Sequence, residues 1–244
     1  MKIIAFIPSR YDSKRFPGKP LALIQGKPMI QHVHQCASDC QEVTDVYVAT
    51  DDEKIFNCVR DFGGNAIMTQ KRHPSGTDRI AEAAKKLSLK EDDLVVNIQG
   101  DQPVFKPSVI STLITPLVED RRIPMGTLKF KINDKREITN ANNVKVVTDA
   151  NGFALFFSRS PIPYYRDRAS GPIYFKHLGF YVYRMDFLMS FAALPVGRLE
   201  SAEKLEQLRA LENGYRIKVV ETLYDSVEVD TPEDIQKVEH ILSK

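Results

Sequence analysis

No stretch of the 244 residues approaches the ~18 consecutive apolar side chains that would cross a bilayer. Met1-Lys2 leads straight into "IIAFIPSR", an apolar core too short for a secretory signal. The expectation is a cytoplasmic protein without a membrane partner. Cysteine is scarce: Cys36, Cys40 and Cys58 make an odd set with no finger-like spacing of further ligands, which argues against a disulfide framework or a zinc site and for reduced thiols packed in helices. His32 and His34 stand two apart on an expected helix and so point to different faces, which argues against a shared metal. Charge excess is missing too. With 34 basic against 32 acidic side chains the formal net charge is +2, too even for a protein whose main partner is nucleic acid. Any anion it binds is small and locally held. Low-complexity tracts and repeats are also absent, which excludes a disordered chain or a solenoid.

What is present is an alternation. Short β-branched runs, "KIIAFI", "DVYVAT", "AIMT" and "LVVNIQGD", are separated by helical periodicity near Met29 to Cys40, Glu53 to Phe62 and Asp78 to Leu87. That βαβαβαβ order predicts an α/β fold, a mainly parallel sheet with helices on both faces. Residues 125–185 change texture: "MGTLKFKI", "NVKVVTD", "FALFFSR" and "LGFYVYR" read as strands forming a smaller antiparallel subregion, with no linker to mark a second domain in 1–244. "SAEKLEQLRALENG" predicts a helix carrying Leu205, Leu208 and Leu211 on one side and ending at Gly214 as C′ residue. "IKVVETL" and "SVEVD" read as strands, and "TPED" opens a terminal helix.

Ligands of open parallel sheets bind beyond the carboxyl ends of the strands, and there the sequence places its polar groups. "IPSRYDSKRFPGKPL" sets Arg10, Lys14, Arg15 and Lys19 against Asp12 alone, with Ser9 and Ser13 alongside. This loop suits a polyphosphate; it lacks the leading glycine and the Ser/Thr after the lysine of a Walker loop, and a plain solvated basic loop is the rival reading. Asp101 follows "LVVNIQG" and Asp230 follows "SVEV"; two carboxylates at one sheet edge suit a magnesium ion shared with phosphate oxygens. Asp101 has a turn role as its alternative, and Thr231, Pro232 and Asp234 read as a capping-box start that leaves Asp230 unexplained. Ser75, Gly76 and Thr77 precede a helix, where backbone N–H groups read an anion or a base edge, with a simple N-cap as the alternative. Arg159, His177, Tyr181 and the pair Glu206-Gln207 add mixed polar groups suited to a polyhydroxylated anion.

The motifs "IPSRYDSKRFPGKPL", "GKPMIQHV", "VATDDE", "MTQKRHPSGTDRIAE", "VVNIQGDQP", "NVKVVTD", "ALFFSRSPIP", "KHLGFYVYR", "LEQLRALENG" and "VDTPEDI" occur in this order along nearly the whole chain. In them the sequence resembles the 3-deoxy-manno-octulosonate cytidylyltransferases, the CMP-Kdo synthetases. The resemblance implies a Rossmann-like nucleotidyltransferase fold, a homodimer formed with a strand-rich sugar-binding and dimerisation subregion, magnesium as cofactor, and CTP and an acidic eight-carbon sugar as substrates, in lipopolysaccharide biosynthesis. It implies that Arg10 and Lys19 clamp the triphosphate with Ser13 and Arg15 nearby, that Ser75 and Gln99 contact the nucleoside, and that Asp101 and Asp230 hold the metal. Arg79, Arg159, His177, Tyr181, Glu206 and Gln207 resemble the groups around the sugar acid. The implied reaction, attack of the anomeric 2-hydroxyl on the α-phosphorus of CTP, asks mainly for alignment and charge neutralisation.

Departures fall on the sugar side. The short loop "RASGPIYF", Glu212, "AALPVGRLESAEKLEQLRALENG" and "YDSVEVDTPED" look more like the branch that uses 8-amino-3,8-dideoxy-manno-octulosonate, with the hydroxyl sugar as alternative. An ammonium at C8 asks for a carboxylate or carbonyl cluster at the sugar tail, for which Glu200, Glu203, Glu212 and loop carbonyls are the candidates. A non-catalytic nucleotide-sugar sensor is the reading from another class; Asp101 and Asp230 together with Arg10 and Lys19 argue against it. A neuraminate cytidylyltransferase is opposed by "KHLG" and "LEQLR".

Overall fold

A computed structural model describes residues 1–12, 16–167 and 171–243. β1 (Ile3–Ser9) is buried on both faces, as a strand covered by helices on both sides must be. A short 3-10 turn at Lys19–Leu21 and a small hairpin, β2 (Leu23–Ile24) and β3 (Lys27–Pro28), lead into α1 (Met29–Ser38), which buries Met29, Ile30, Val33 and Ala37 at helical spacing. β4 (Asp45–Thr50) follows, then α2 (Glu53–Asp61), capped by the Asp52 carboxylate accepting from the N–H groups of Lys54 and Ile55. β5 (Asn65–Met68), α3 (Gly76–Lys86) and β6 (Leu94–Asn97) complete the expected alternation. α4 (Pro107–Glu119) is a helix that the periodicity does not announce: its β-branched run and Pro116 read against helix, but Ile110, Leu113, Ile114 and Leu117 all enter the core.

The remainder comprises β7 (Met125–Lys131), α5 (Lys135–Thr139), β8 (Lys145–Thr148), β9 (Ala154–Ser158), β10 (Phe175–Arg184), α6 (Met185–Ala193), α7 (Arg198–Glu203), α8 (Leu208–Glu212), β11 (Ile217–Glu221) and α9 (Glu233–Leu242). The central sheet runs β11-β7-β10-β6-β1-β4-β5. β1 pairs parallel with β4 and β6, β4 with β5, and β7 with β11, whereas β10 is antiparallel to both its neighbours. The chain is therefore α/β with a mainly parallel mixed sheet. Within residues 125–185, β7 and β10 join this sheet, and β8 and β9 extend it as a small antiparallel pair hung on β10 at Lys176.

One face of the sheet packs Ala5, Ile7, Val48 and Val96 on α1, α2 and α4; the other packs Ile4, Phe6 and Val95 on α3, α6 and α8. No helix among the described residues is long and apolar enough to cross a membrane.

Three local expectations need correction. "SVEVD" is not a sheet strand; it makes the isolated antiparallel bridge Val104–Val227, because it lies over the loop after β6. Thr231 does not cap α9. Instead the Asp234 carboxylate reaches back to the N–H groups of Asp230 and Thr231, at 3.1 and 3.0 Å, and accepts the Thr231 hydroxyl. "SAEKLEQLRALENG" is two helices, since Lys204 takes a left-handed φ of 54° between α7 and α8. The leucine spacing survives the break because Leu205 and Leu208 are buried on either side of it. Gly214 does end α8, at φ 79°, in a Schellman arrangement: its N–H donates to Leu211 O and that of Tyr215 to Ala210 O.

Arg184, at the end of β10, is buried and donates to the carbonyls of Ile123 at 3.1 Å, Asp120 at 3.1 Å and Leu117, closing the C-terminal turn of α4. Arg184→Met is expected to orphan these acceptors at a cost of about 2–3 kcal/mol. For a chain of this size that lowers Tm by roughly 5–10 °C; calorimetry showing a shift within 1 °C would contradict the role.

Candidate active site

β1 sends the chain to β4 on one side and has β6 on the other, so the crevice beyond its carboxyl end is the topological switch point of the sheet. A cavity of about 740 Å³ opens there. Arg10 comes to its wall from the end of β1, Lys19 from the 3-10 turn, Ser75 from the start of α3, and Gln99, Gly100 and Asp101 from the loop after β6. Gly100 is required by close approach: a Cβ would stand 2.9 Å from Ser9 Oγ and 3.2 Å from Pro8 O. Ser9 Oγ is buried with no hydrogen-bond partner among the described residues, the condition of a donor or acceptor that a ligand completes.

Lys19 joins three segments. Its Nζ donates to Asp101 Oδ2 at 2.7 Å and to Val229 O at 2.9 Å, and Val229 N–H donates to Asp101 O at 2.9 Å. The loop that carries Asp230 is thereby tied to the loop that carries Asp101. Ser13 and Arg15 lie outside the described residues.

Ser75 is the N-cap of α3, accepting from Asp78 N–H at 3.1 Å and donating to Asp78 Oδ2 at 2.8 Å, while Gly76 behind it also faces the cavity. The cap thus accounts for the side chain and leaves the helix start turned toward a ligand. Arg79 also lies on this first cavity, and its guanidinium holds Thr69 Oγ1 at 2.5 Å and Asp51 Oδ1 at 3.3 Å.

His73 is a wall residue that the sequence reading passes over. Its Nε2 lies 2.5 Å from Glu82 Oε2, which also accepts Gln70 N–H at 3.0 Å. Burial pushes the Glu82 carboxyl up, and hydrogen bonds from Lys86, Gln70 N–H and His73 outweigh it and hold the group at about 2. The nine-residue step from His73 to Glu82 crosses a loop and has no signature in periodicity.

A second cavity of about 210 Å³ is lined by His177, Lys176 and Gly179 among others. Gln99 lines the first and donates from Nε2 to the carbonyl of Gly179, a wall residue of the second, at 3.2 Å. Gly179 sits in a register shift of β10 against β7, between Leu178 and Tyr181. The Thr127 hydroxyl donates into that bulge, to Phe180 O at 2.7 Å, and therefore accepts from His177 Nε2 at 2.9 Å. Burial lowers His177 to about 3, so the imidazole is neutral at physiological pH.

Tyr181 is buried between the rings of His177 and Tyr183, and burial keeps its phenol protonated. Glu206 accepts Thr77 Oγ1 at 2.6 Å and is raised by desolvation; Gln207 is buried with Nε2 unpartnered among the described residues. The break after α7 turns these two residues out of the helix. Asp230, Tyr181, Glu206, Gln207 and Arg159 are on neither cavity wall; the Arg159 guanidinium holds the carbonyls of Glu203 at 2.6 Å, Ala141 at 2.8 Å and Lys204 at 3.4 Å.

A doubly covered sheet with cations, a capped helix start and Asp101 at its switch point is a site suited to the phosphates of a nucleotide. The family model described as cytidylyltransferase matches residues 4–219. A 3-deoxy-manno-octulosonate cytidylyltransferase of Syntrophus aciditrophicus is 58% identical, over 99% of this chain and 97% of that one. An 8-amino-3,8-dideoxy-manno-octulosonate cytidylyltransferase of Shewanella baltica is 53% identical, over 100% of this chain and 99% of that one. A solved CMP:2-keto-3-deoxy-manno-octonic acid synthetase in complex with CTP superposes at a TM-score of 0.93, with 43% identity, covering 100% of this chain and 99% of that chain. The chain belongs to the cytidylyltransferase family and, within it, to the CMP-Kdo synthetase group.

Because Glu82 is held far below its ordinary 4.5 in the folded chain, it binds fewer protons folded than unfolded; its stabilisation is present above about pH 4.5 and lost as pH falls toward about 2. Glu82→Gln is expected to cost about 1–3 kcal/mol at pH 7 and to flatten the acid limb of the stability curve. Urea titrations from pH 7 to 3 check this, and parallel curves for both proteins would contradict it.

Proposed function

We propose that the chain transfers the cytidylyl group of CTP to the anomeric 2-hydroxyl of a 3-deoxy-manno-octulosonic acid, with magnesium as cofactor, and that its sugar is the 8-amino-3,8-dideoxy form. The sugar oxygen attacks the α-phosphorus, the bond to the β-phosphate oxygen breaks, pyrophosphate leaves and the hydroxyl proton passes to solvent. The observation that carries this reading is the Lys19 contact, which gathers a triphosphate cation and both acid-bearing loops at the mouth of one cavity.

In this reading Arg10 and Lys19 grip the triphosphate, with Ser13 and Arg15 from the same loop, and Ser75 and Gln99 face the nucleoside. Asp101 and Asp230 would hold magnesium. Their donor set fits: both are hard carboxylate oxygens, carried on the two loops that the Lys19 contact joins, which suits a cation that completes its shell with phosphate and water. When bound, magnesium supplies charge neutralisation at the phosphate oxygens and a lower pKa for the attacking hydroxyl. Alignment across the two cavities then does the rest, with Gln99 bonded to Gly179, His177, Tyr181, Glu206 and Gln207 on the sugar side, and Arg79 and Arg159 bracing the loops around it. A homodimer contact through residues 125–185 belongs to the same proposal, supported by the exposed Leu155, Tyr164 and Ile173.

The second reading is the same transfer to the 8-hydroxyl sugar, favoured by the 58% identity to a relative named for it. Pyrophosphate release from CTP with each sugar, with and without magnesium, separates the two. Asp230→Ala is expected to keep its fold, by circular dichroism and melting, and to lose at least about 100-fold in pyrophosphate release. Comparable turnover in a folded variant would remove Asp230 from the metal site.

A further inference from the structure

Alternation along "SVEVD" puts Val227 and Val229 into a small apolar cluster with Ile24, Met29 and Val238, so Glu228 between them faces the other way. It lies on the wall of the second cavity with Asn142, Asn143, Lys176, His177 and Ser226. The charge balance there is negative. Lys176 is already held by Asp225 at 2.7 Å and Glu137 at 3.0 Å, and His177 is neutral. Glu228 accepts Gln102 Nε2 at 3.0 Å on Oε1, and no lysine or arginine among the described residues lies within ion-pair distance of it. The nearby Lys19 is engaged by Asp101 and Val229 O.

The other acids considered for a sugar tail are all engaged. Glu200 is bidentate to Arg209 at 2.7 and 2.6 Å. Glu203 accepts Ser158 Oγ at 2.6 Å and Arg159 N–H at 2.9 Å. Glu212 accepts the N–H groups of Leu199 and Glu200. A cavity wall with a carboxylate short of a cation complements a positively charged group and gives a neutral hydroxyl no comparable gain.

We propose that Glu228 is the specificity residue that receives a primary ammonium at the far end of an amino-sugar acid, with the second cavity as the pocket for that end. This rests on the cytidylyl-transfer reading of the first cavity, whose wall residue Gln99 donates to Gly179 O on the wall of the second.

The test compares kcat/KM for 8-amino-3,8-dideoxy-manno-octulosonate and for the 8-hydroxyl sugar, with magnesium and CTP, in wild type and Glu228→Gln. Wild type is expected to prefer the amino sugar by tenfold or more, and Glu228→Gln to erase at least tenfold of that preference, mainly through KM for the amino sugar. The N-acetylated amino sugar, which lacks the charge, is expected to fall at least tenfold below the free amine in wild type, a readout that needs no variant. Loss of equal size on both sugars would mean that Glu228 serves the nucleotide or metal side and would overturn the assignment. An amino preference that survives in Glu228→Gln would overturn it while leaving cytidylyl transfer intact. A wild type inactive with both sugars would contradict the transfer reading itself, and the assignment with it.

Discussion

The contact of Lys19 Nζ with Asp101 Oδ2 and Val229 O joins residues 82 and 210 positions apart in the chain. It ties the basic loop after β1 to the acid loop after β6 and the "VEVD" segment, which Val229 N–H to Asp101 O and the Val104–Val227 bridge also join to each other. The lysine is only 14% exposed, so the pair operates under less solvent screening than a surface ion pair. In the proposed cycle the same ammonium exchanges a carboxylate for phosphate oxygens, and releases Asp101 as it does so. A ligand-free charge pair of this kind keeps both partners positioned and desolvated without leaving either unpaired.

That contact is possible because of the sheet beneath it. β1 lies between β4 and β6, buried on both faces, and places Ser9 and Arg10 opposite Gln99 and Asp101 at the switch point. β10, antiparallel beside β6, then brings Gly179 and His177 to the same end, and the register shift at Leu178/Tyr181 aims them. Two cavities, one edged with cations and one with uncompensated acid, follow from this single juxtaposition. Their opposite polarity matches a reaction between a polyanionic nucleotide and, in the proposed reading, a substrate with an ammonium at its tail.

The first half of the chain was legible because its physics is local. α1, α2 and α3 lie within two residues of the ranges their periodicity predicts, and strand ends point to ligand loops by a general rule. Arg10, Lys19, Ser75 and Asp101 could therefore be placed at one edge from sequence, and Gln99 was added through the family resemblance. α4 was hidden because isoleucine, threonine and an internal proline argue against helix, and only packing on β7 and β10 overrides them. The break at Lys204 was hidden because a leucine stripe is satisfied equally by one helix or two. Glu228 and His73 were unreadable for another reason: each acquires its role from a partner brought in by the fold, Gln102 and Glu82 respectively.

The most direct measurement is a crystal structure with CTP and magnesium bound. The predicted result is a triphosphate in the first cavity held by Arg10 and Lys19, with Asp101 and Asp230 on one ion at its oxygens and Lys19 no longer on Asp101. A nucleotide bound elsewhere, or an intact Lys19–Asp101 pair with no ion beside it, would contradict the exchange on which the proposed site rests.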